Sequence, residues 1–362
     1  MTEQLKLKLN DSKATRWGAL VIVAFTMMAA YYVNDVVAPL KTMLETDLAW
    51  SSTDFGFFTG GYSFLNVFFL MLIWGGLILD RFGIRFTGKL ATILMVGGTA
   101  LEYYAMTGLA GADATLFGIN EIFGYKTGVF VAFAGYSIFG VGAEVAGITV
   151  SKIIAKWFKG KELATAMGVQ VALARIGSQA GYAVAIPLAR AFGISTPVLL
   201  GLVLLLGGMI AFFVFAVMDK KLDKQMEAAA IAAGTEDEEE KFSFKDVKNI
   251  LVNPGFWLIA LLCVLFYSCV FPFQKFASEL MIIKYGINEN VAGTFAGLPA
   301  LGALILTPVF GGFIDKRGKS ASIMLLGSAM LICVHFIYAI PDINYWLVAI
   351  VPVSYTHLRA HE

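Results

Sequence analysis

The chain has 362 residues, of which 58% are hydrophobic and 15% charged, and its mean hydropathy is +0.76. Soluble domains carry about one quarter charged residues, so most of this surface has to face lipid. A formal net charge of +1 leaves no basic surface for a nucleic-acid partner.

The opening MTEQLKLKLNDSKATRW carries charges but no short apolar core with an A-x-A site, which reads as a cytosolic tail rather than a cleaved leader. Beyond it, a bilayer helix needs about 20 mostly apolar residues, because each residue rises only ~1.5 Å across a ~30 Å core. That ruler predicts spans near 16–38, 54–79, 87–110, 127–153, 162–189, 196–218, 255–280, 289–314 and 321–340, with a further one starting at 344. The stretch 111–126 reads as an outside loop with room for a short interfacial helix. The longest polar break, 219–254, contains the acidic run Glu236 to Glu240 and reads as a solvated linker. The chain thus divides into a six-helix N-terminal bundle with its tail (1–218), a cytoplasmic linker (219–254) and a partial C-terminal bundle (255–353). After VAIVPV the tenth helix stops, and SYTHLRAHE (354–362) places His357, Arg359 and His361 where a span would continue; the expectation is a truncated or non-native end without helices 11 and 12.

Short cytoplasmic loops retain lysine and arginine. Lys6, Lys8, Lys13 and Arg16 precede the first helix, Arg81, Arg85 and Lys89 follow the second, and Lys152, Lys156, Lys159 and Lys161 follow the fourth. Lys220, Lys221, Lys224, Lys241, Lys245 and Lys248 of the linker and Lys316, Arg317 and Lys319 after the eighth helix fall on the same side, whereas the opposite loops hold Lys41, Lys126, Arg190, Lys275 and Lys284. The expected protein is integral and multi-pass with its N-terminus and linker in the cytoplasm, at the inner membrane if the source is prokaryotic.

Two stretches repeat one ending. GGLILDRFGIRF (75–86) and GGFIDKRGKS (311–320) both read G-x-x-x-D-[RK]-x-G at the end of an apolar run, six helices apart. Topogenic punctuation would explain one copy; two at this offset indicate a parallel repeat of six-helix halves. Gly76, Gly83, Gly311, Gly312 and Gly318 are expected to give tight turns and close helix approach. Asp80 and Asp315 would then cap a helix N-terminus of the opposite half, with Arg81, Arg85 and Lys316 holding carboxylates or anions.

These motifs resemble the signature of the major facilitator superfamily, G-x-L-x-D-R-x-G-R-[RK], with Ile84 where a base is usual. The resemblance implies an all-α transmembrane fold of two pseudo-symmetric six-helix bundles rocking about a central site, the C-terminal one ending here within helix 10. Residues 135–178, together with YYVND and FYSCVFPF, are similar to a dipeptide-transporting branch of that superfamily and its prokaryotic relatives. In that branch a glutamate in G-x-G-[GA]-E and an arginine in A-R-I-G-S lie in the transport cavity, which maps the cavity onto Glu144 and Arg175.

The residues point to a cavity independently. Glu144 and Arg175 fall near the middle of adjacent helices, where an ion has to face a partner or water. An arginine fork suits a carboxylate and a glutamate suits an ammonium, so a zwitterion satisfies both. Asp35, with Asn34 and Tyr32, adds a second acid higher in the first helix. A salt bridge between Glu144 and Arg175 with no ligand is the alternative.

Other positions carry less. Glu102 (LEYY) is expected to snorkel to the outer interface rather than bind protons. Phe271, Pro272 and Phe273 are expected to break the seventh helix. Cys263, Cys269 and Cys333 read as small reduced core residues, and His335 as a packed helix residue, so no metal or cofactor is expected. The absence of G-x-x-x-x-G-K-[ST] gives no indication of ATP hydrolysis. Composition and motifs together predict a non-enzymatic secondary transporter of a small zwitterion, a dipeptide by resemblance, with protons as possible co-substrate through Asp35 or Glu144. The alternatives are another organic anion or sugar acid held by Arg175, or a receptor or scaffold on the same fold, which would gain nothing from intramembrane charge.

The topology generates a test. Cysteines at Ala112 and Asp342 should react with an impermeant reagent from outside, and one at Thr235 only from inside; outside labelling at Thr235 would overturn the helix count.

Overall fold

The computed structural model of the chain describes residues 8–111, 114–233, 251–317 and 320–340. A hydrocarbon slab offers no water to backbone N–H and C=O groups, so apolar runs must satisfy them internally, as helices. In chain order these are α1 (Lys13–Val36), a 3-10 turn (Ala38–Leu40), α2 (Lys41–Asp47), α3 (Ser52–Phe68), α4 (Met71–Thr107), α5 (Thr127–Trp157), α6 (Leu163–Phe192), α7 (Thr196–Ala233), α8 (Pro254–Tyr285), α9 (Glu289–Arg317) and α10 (Ser320–Ala339). Four of these segments, or five with the bent α3–α4 pair, are long and apolar enough to cross a membrane by length and composition. The end that holds the start of α1 is called proximal below, and the end that holds its C-terminus distal.

The second expected span is not one straight helix. α3 ends at Phe68 and α4 begins at Met71 with a bend of 58°, and Leu70 between them takes a left-handed φ of 51°. No glycine or proline marks this break. The signature turn lies inside α4, where Gly83 leaves the helical region at φ 75°, ψ 172°. That conformation favours glycine, so Gly83 makes the expected turn. Gly76 does not behave as expected: it is helical, and a Cβ there would meet nothing within 4 Å. α9 is helical from Glu289 to Arg317, which puts the backbone of Gly311 and Gly312 inside a helix rather than a turn. The side chains of Asp315 and Lys316, and the whole of Gly318, lie outside the described residues, as do Ala112, Thr235 and Asp342 and everything after residue 340.

Four further expectations are corrected. Among its described residues, the loop after α4 holds no interfacial helix but a two-residue antiparallel pair, Glu121–Ile122 with Tyr125–Lys126. α8 continues unbroken through Pro272; a bilayer helix tolerates the lost N–H where neighbours supply packing. α7 extends to Ala233, well past residue 218, because strong helix formers follow and Asp219 and Asp223, one turn apart, find cations on α4 and α5. All three cysteines are exposed rather than core residues. On an apolar outer surface a thiol needs no burial.

Packing in the N-terminal half rests on glycines that let backbones touch. On α5, Gly128, Gly135 and Gly142 recur every seven residues and face α4. A Cβ on them would lie 2.7 Å from the Leu109 carbonyl oxygen, 2.6 Å from that of Gly98 and 2.7 Å from that of Ala91. α6 approaches α1 in the same way, since a Cβ on Gly177 would fall 2.1 Å from the Met28 carbonyl oxygen. Close approach is what holds bilayer helices together where burial from water contributes little. A large core runs through α1 and α3–α7. A smaller one joins Ala38 and Tyr182 of this half to α8, α9 and α10.

Overpacking gives the test. Gly142→Ala should destabilise the purified protein by about 1–3 kcal/mol, read as a lower unfolding temperature. Gly147→Ala, whose added Cβ would have its nearest atom at 4.0 Å, should leave it unchanged. Equal temperatures for both variants would show that α4 and α5 are free to slide apart.

Candidate functional site

Glu144 and Arg175 are placed by two antiparallel helices. Counting ~1.5 Å per residue, Glu144 lies about 25 Å from the distal start of α5, and Arg175 about 25 Å from the distal end of α6. Both reach the same depth. Each is held by a tyrosine that the sequence reading did not name. The Tyr62 hydroxyl of α3 donates to Glu144 Oε1 at 2.7 Å. The Arg175 guanidinium, only 6% exposed, sits over the Tyr31 ring at 5.6 Å.

Tyr32 is corrected. It is buried, and its hydroxyl donates to the Pro197 carbonyl at 3.2 Å, inside the α1–α7 contact. One residue turns a helix by about 100°, so Tyr31 takes the position beside Arg175.

Distal to this pair stands a second group of polar side chains. Lys275 reaches from α8 across to the N-terminal half, donating to the Asn34 carbonyl at 2.6 Å and to the Tyr136 hydroxyl at 2.9 Å. Asp35 Oδ1 lies 3.9 Å from the ammonium. Tyr136 donates in turn to the Asn34 carbonyl at 2.7 Å, and the Asn34 amide donates to Asp35 at 2.9 Å. The charge rule counts Lys275 among the outer loops, although it lies within the span read over 255–280. That position was its signal: a lysine inside an apolar run needs a partner. Glu102 is also corrected. It does not snorkel but is 0% exposed, because α4 meets the glycine stripe of α5 there and the contact covers it.

Further ties between the halves gather in this distal half. Lys41, nearly inaccessible, donates to Glu45 at 2.7 Å, to Ser52 at 2.8 Å and to Glu279 of α8. Arg190 holds Glu289 and donates to Asn290 Oδ1 at 3.0 Å. The Tyr182 hydroxyl donates to the Gln274 carbonyl at 3.0 Å. Gly293 and Gly297 of α9 pack on Tyr182 and Gln179 of α6.

The signature residues occupy the proximal end. Asp80 does not cap a helix of the other half among the described residues; it pairs with Lys152 of α5 at 2.9 Å. Arg81 stays on the surface beside Phe82. Arg85 pairs with Asp223 at 2.5 Å and approaches Asp219 at 3.5 Å, which also accepts from Lys156 at 2.8 Å and from the Trp157 indole at 3.0 Å. The carboxylates Arg85 holds thus come from its own half. Asp80, Arg85, Lys152, Lys156, Asp219 and Asp223 line a cavity of about 550 Å³ between α4, α5 and α7, which is separate from Glu144 and Arg175. At the proximal start of α6, the Arg16 guanidinium beside Glu162 holds that carboxyl below its ordinary range. His335 places Nδ1 3.0 Å from the Leu331 carbonyl within its own helix.

A family model described as Major Facilitator Superfamily matches residues 19–356. The Homo sapiens protein named lysosomal dipeptide transporter MFSD1 is 27% identical over 360 residues, covering 95% of this chain and 71% of that protein. The Gallus gallus protein of the same name is 30% identical over 238 residues, 62% of this chain and 52% of that one. Among solved structures, the xylose transporter XylE from E. coli in a partially occluded inward open conformation superimposes with a TM-score of 0.64 at 16% identity, covering 95% of this chain and 84% of that one. Tetrameric PepTSo2 does so with a TM-score of 0.63 at 12% identity, over 94% and 81% of the two chains. At such identities these structures speak for the fold.

Proposed function

The chain belongs to the major facilitator superfamily, and from that premise we propose that it is a secondary transporter of small zwitterions, dipeptides foremost, working by alternating access. Glu144 and Arg175 at one depth on facing helices carry this reading. They offer an anionic and a cationic contact to one ligand, and a peptide with free termini presents both an ammonium and a carboxylate. The curated relatives named as dipeptide transporters supply the substrate class. Asn34 and Asp35 form the distal edge of the site, and Tyr31 and Tyr62 replace Tyr32 as the aromatic walls.

The proximal end is cytoplasmic in this reading. Arg81, Arg85, Lys152, Lys156, Lys159 and Lys161 collect there. The distal cations that the charge rule counted as outer are drawn into contacts, Lys41 with Glu279, Lys275 with Asn34 and Arg190 with Glu289. The ties between the halves then close the outer side, so the protein is inward-facing. Asp80 with Lys152, and Arg85 with Asp223, brace the cytoplasmic end of the N-terminal half against α5 and α7. Arg175 alone would serve another organic anion or a sugar acid, which is the competing substrate class.

Peptide binding to the purified protein, read by thermal shift, separates these readings. Arg175→Lys keeps the charge but loses the planar fork, and should weaken dipeptide binding about tenfold, or ~1.4 kcal/mol. Glu144→Gln should weaken peptides with a free amino terminus more than N-acetylated ones, since only the former present an ammonium. Equal losses for both peptides would remove Glu144 from the site, and undiminished binding by Arg175→Lys would remove Arg175.

A further inference from the structure

We propose that Glu102 is a proton-binding site that must be occupied for the outer end of the transporter to close. Glu102 stands five residues before the distal end of α4. It is fully buried, and neither carboxylate oxygen has a hydrogen-bond partner among the described residues. The reason is the helix contact itself: a Cβ on Gly135 would lie 2.9 Å from the Glu102 amide nitrogen, so α5 seals this turn of α4. An ionised carboxylate there would have no donor to offset its lost hydration, and the neutral acid is the form that this packing admits.

The surroundings connect the proton to the gate. Beside Glu102 stands Tyr136 of α5, whose hydroxyl takes the Lys275 ammonium and donates to Asn34. Among the described residues, the ionisable groups whose charges bear on this pair are Lys275 of α8, Asp35 of α1, Tyr182 of α6 and Tyr62 of α3. The charged groups that α7 places on α4, Asp219 and Asp223, meet Arg85 at the proximal end. Lys275 already spends its hydrogen bonds on Asn34 and Tyr136. When α8 withdraws as the outer end opens, Lys275 leaves the Asn34 carbonyl and the Tyr136 hydroxyl, and water enters where it stood. Glu102, one helix contact away, is then hydrated and releases its proton to the outer solution. Closing reverses this and takes a proton up, so acid favours the closed form and alkali the open one.

This inference rests on the alternating-access reading, and its test needs no substrate, so failure of dipeptides to bind would not touch it. Spin labels at Ala191→Cys and Asn288→Cys, with Cys263, Cys269 and Cys333 replaced by alanine, report the distance between the distal ends of α6 and α9. Between about pH 5 and about pH 9, the full chain in nanodiscs should pass from a short to a long separation. Glu102→Gln, a fixed mimic of the neutral acid, should hold the short separation throughout, and Glu102→Asp should restore a pH response. A separation independent of pH in the parent, or a Glu102→Gln variant that follows pH as the parent does, would overturn the proposal. Should Glu102→Gln not fold, infrared spectroscopy of the parent decides: a buried protonated-carboxyl band lost as the separation lengthens supports it, and no such band at any pH refutes it.

Discussion

Everything in this structure answers to one constraint: an ion inside a hydrocarbon slab has to be met by a partner or by water. Lys275 shows the solution most plainly. Its ammonium comes from the C-terminal half and finds its acceptors, the Asn34 carbonyl and the Tyr136 hydroxyl, on the N-terminal half. Those acceptors are within reach only while the halves stay together on that side. Lys41 with Glu279 and Arg190 with Glu289 obey the same rule nearer the distal surface. Polar groups that elsewhere would be a cost of burial here select one arrangement of two bundles.

Such contacts require helices that are rigid and close, and the glycine stripe of α5 provides both. Gly128, Gly135 and Gly142 bring α4 to backbone contact with α5, which fixes the face on which Tyr136 and Glu144 project. The opposite side of α5 is used in the same way, since a Cβ on Gly140 would lie 2.4 Å from the Tyr62 carbonyl oxygen. That approach sets Tyr62 within reach of Glu144. The glycines thus determine the depth and direction of the polar groups, although none of them touches a ligand.

Most of the fold was legible in the sequence because lipid imposes a simple code of length and hydropathy, and the repeated G-x-x-x-D-[RK]-x-G pointed to a fold of two halves. The code fails where its signals are silent. Leu70 breaks a helix with no glycine or proline nearby, and α7 outlasts its apolar run because Asp219 and Asp223 are held by Lys156 and Arg85. In the site, Glu144 and Arg175 stood out as charges in apolar helices. Their partners did not, because a tyrosine among thirteen carries no mark of the direction in which its hydroxyl points. Tyr31 and Tyr32 differ only in helical phase, and a contact on α1 decides between them. Glu102 was misjudged for a related reason: sequence position put it near an interface, whereas the seven-residue glycine repeat, visible in the sequence, would have sealed it.

The two polar groups are also in contact with each other. The Tyr62 ring, whose hydroxyl holds Glu144, packs against the Tyr136 ring at 5.7 Å between centroids, and Tyr136 accepts the Lys275 ammonium. Tyr136 in turn stacks on Phe139 at 5.8 Å, so it has little room to yield. In the proposed site, a ligand ammonium arriving at Glu144 would compete with the Tyr62 hydroxyl for the same carboxylate. A displaced Tyr62 would press on a ring that is already confined and that takes the Lys275 ammonium. Proteins transmit small displacements when packed elements have discrete arrangements rather than a continuum of them. Here the discrete choice is whether Lys275 keeps or leaves its acceptors on the opposite half, and that choice is tied by side-chain contact to Glu144, the carboxylate proposed to meet the ligand.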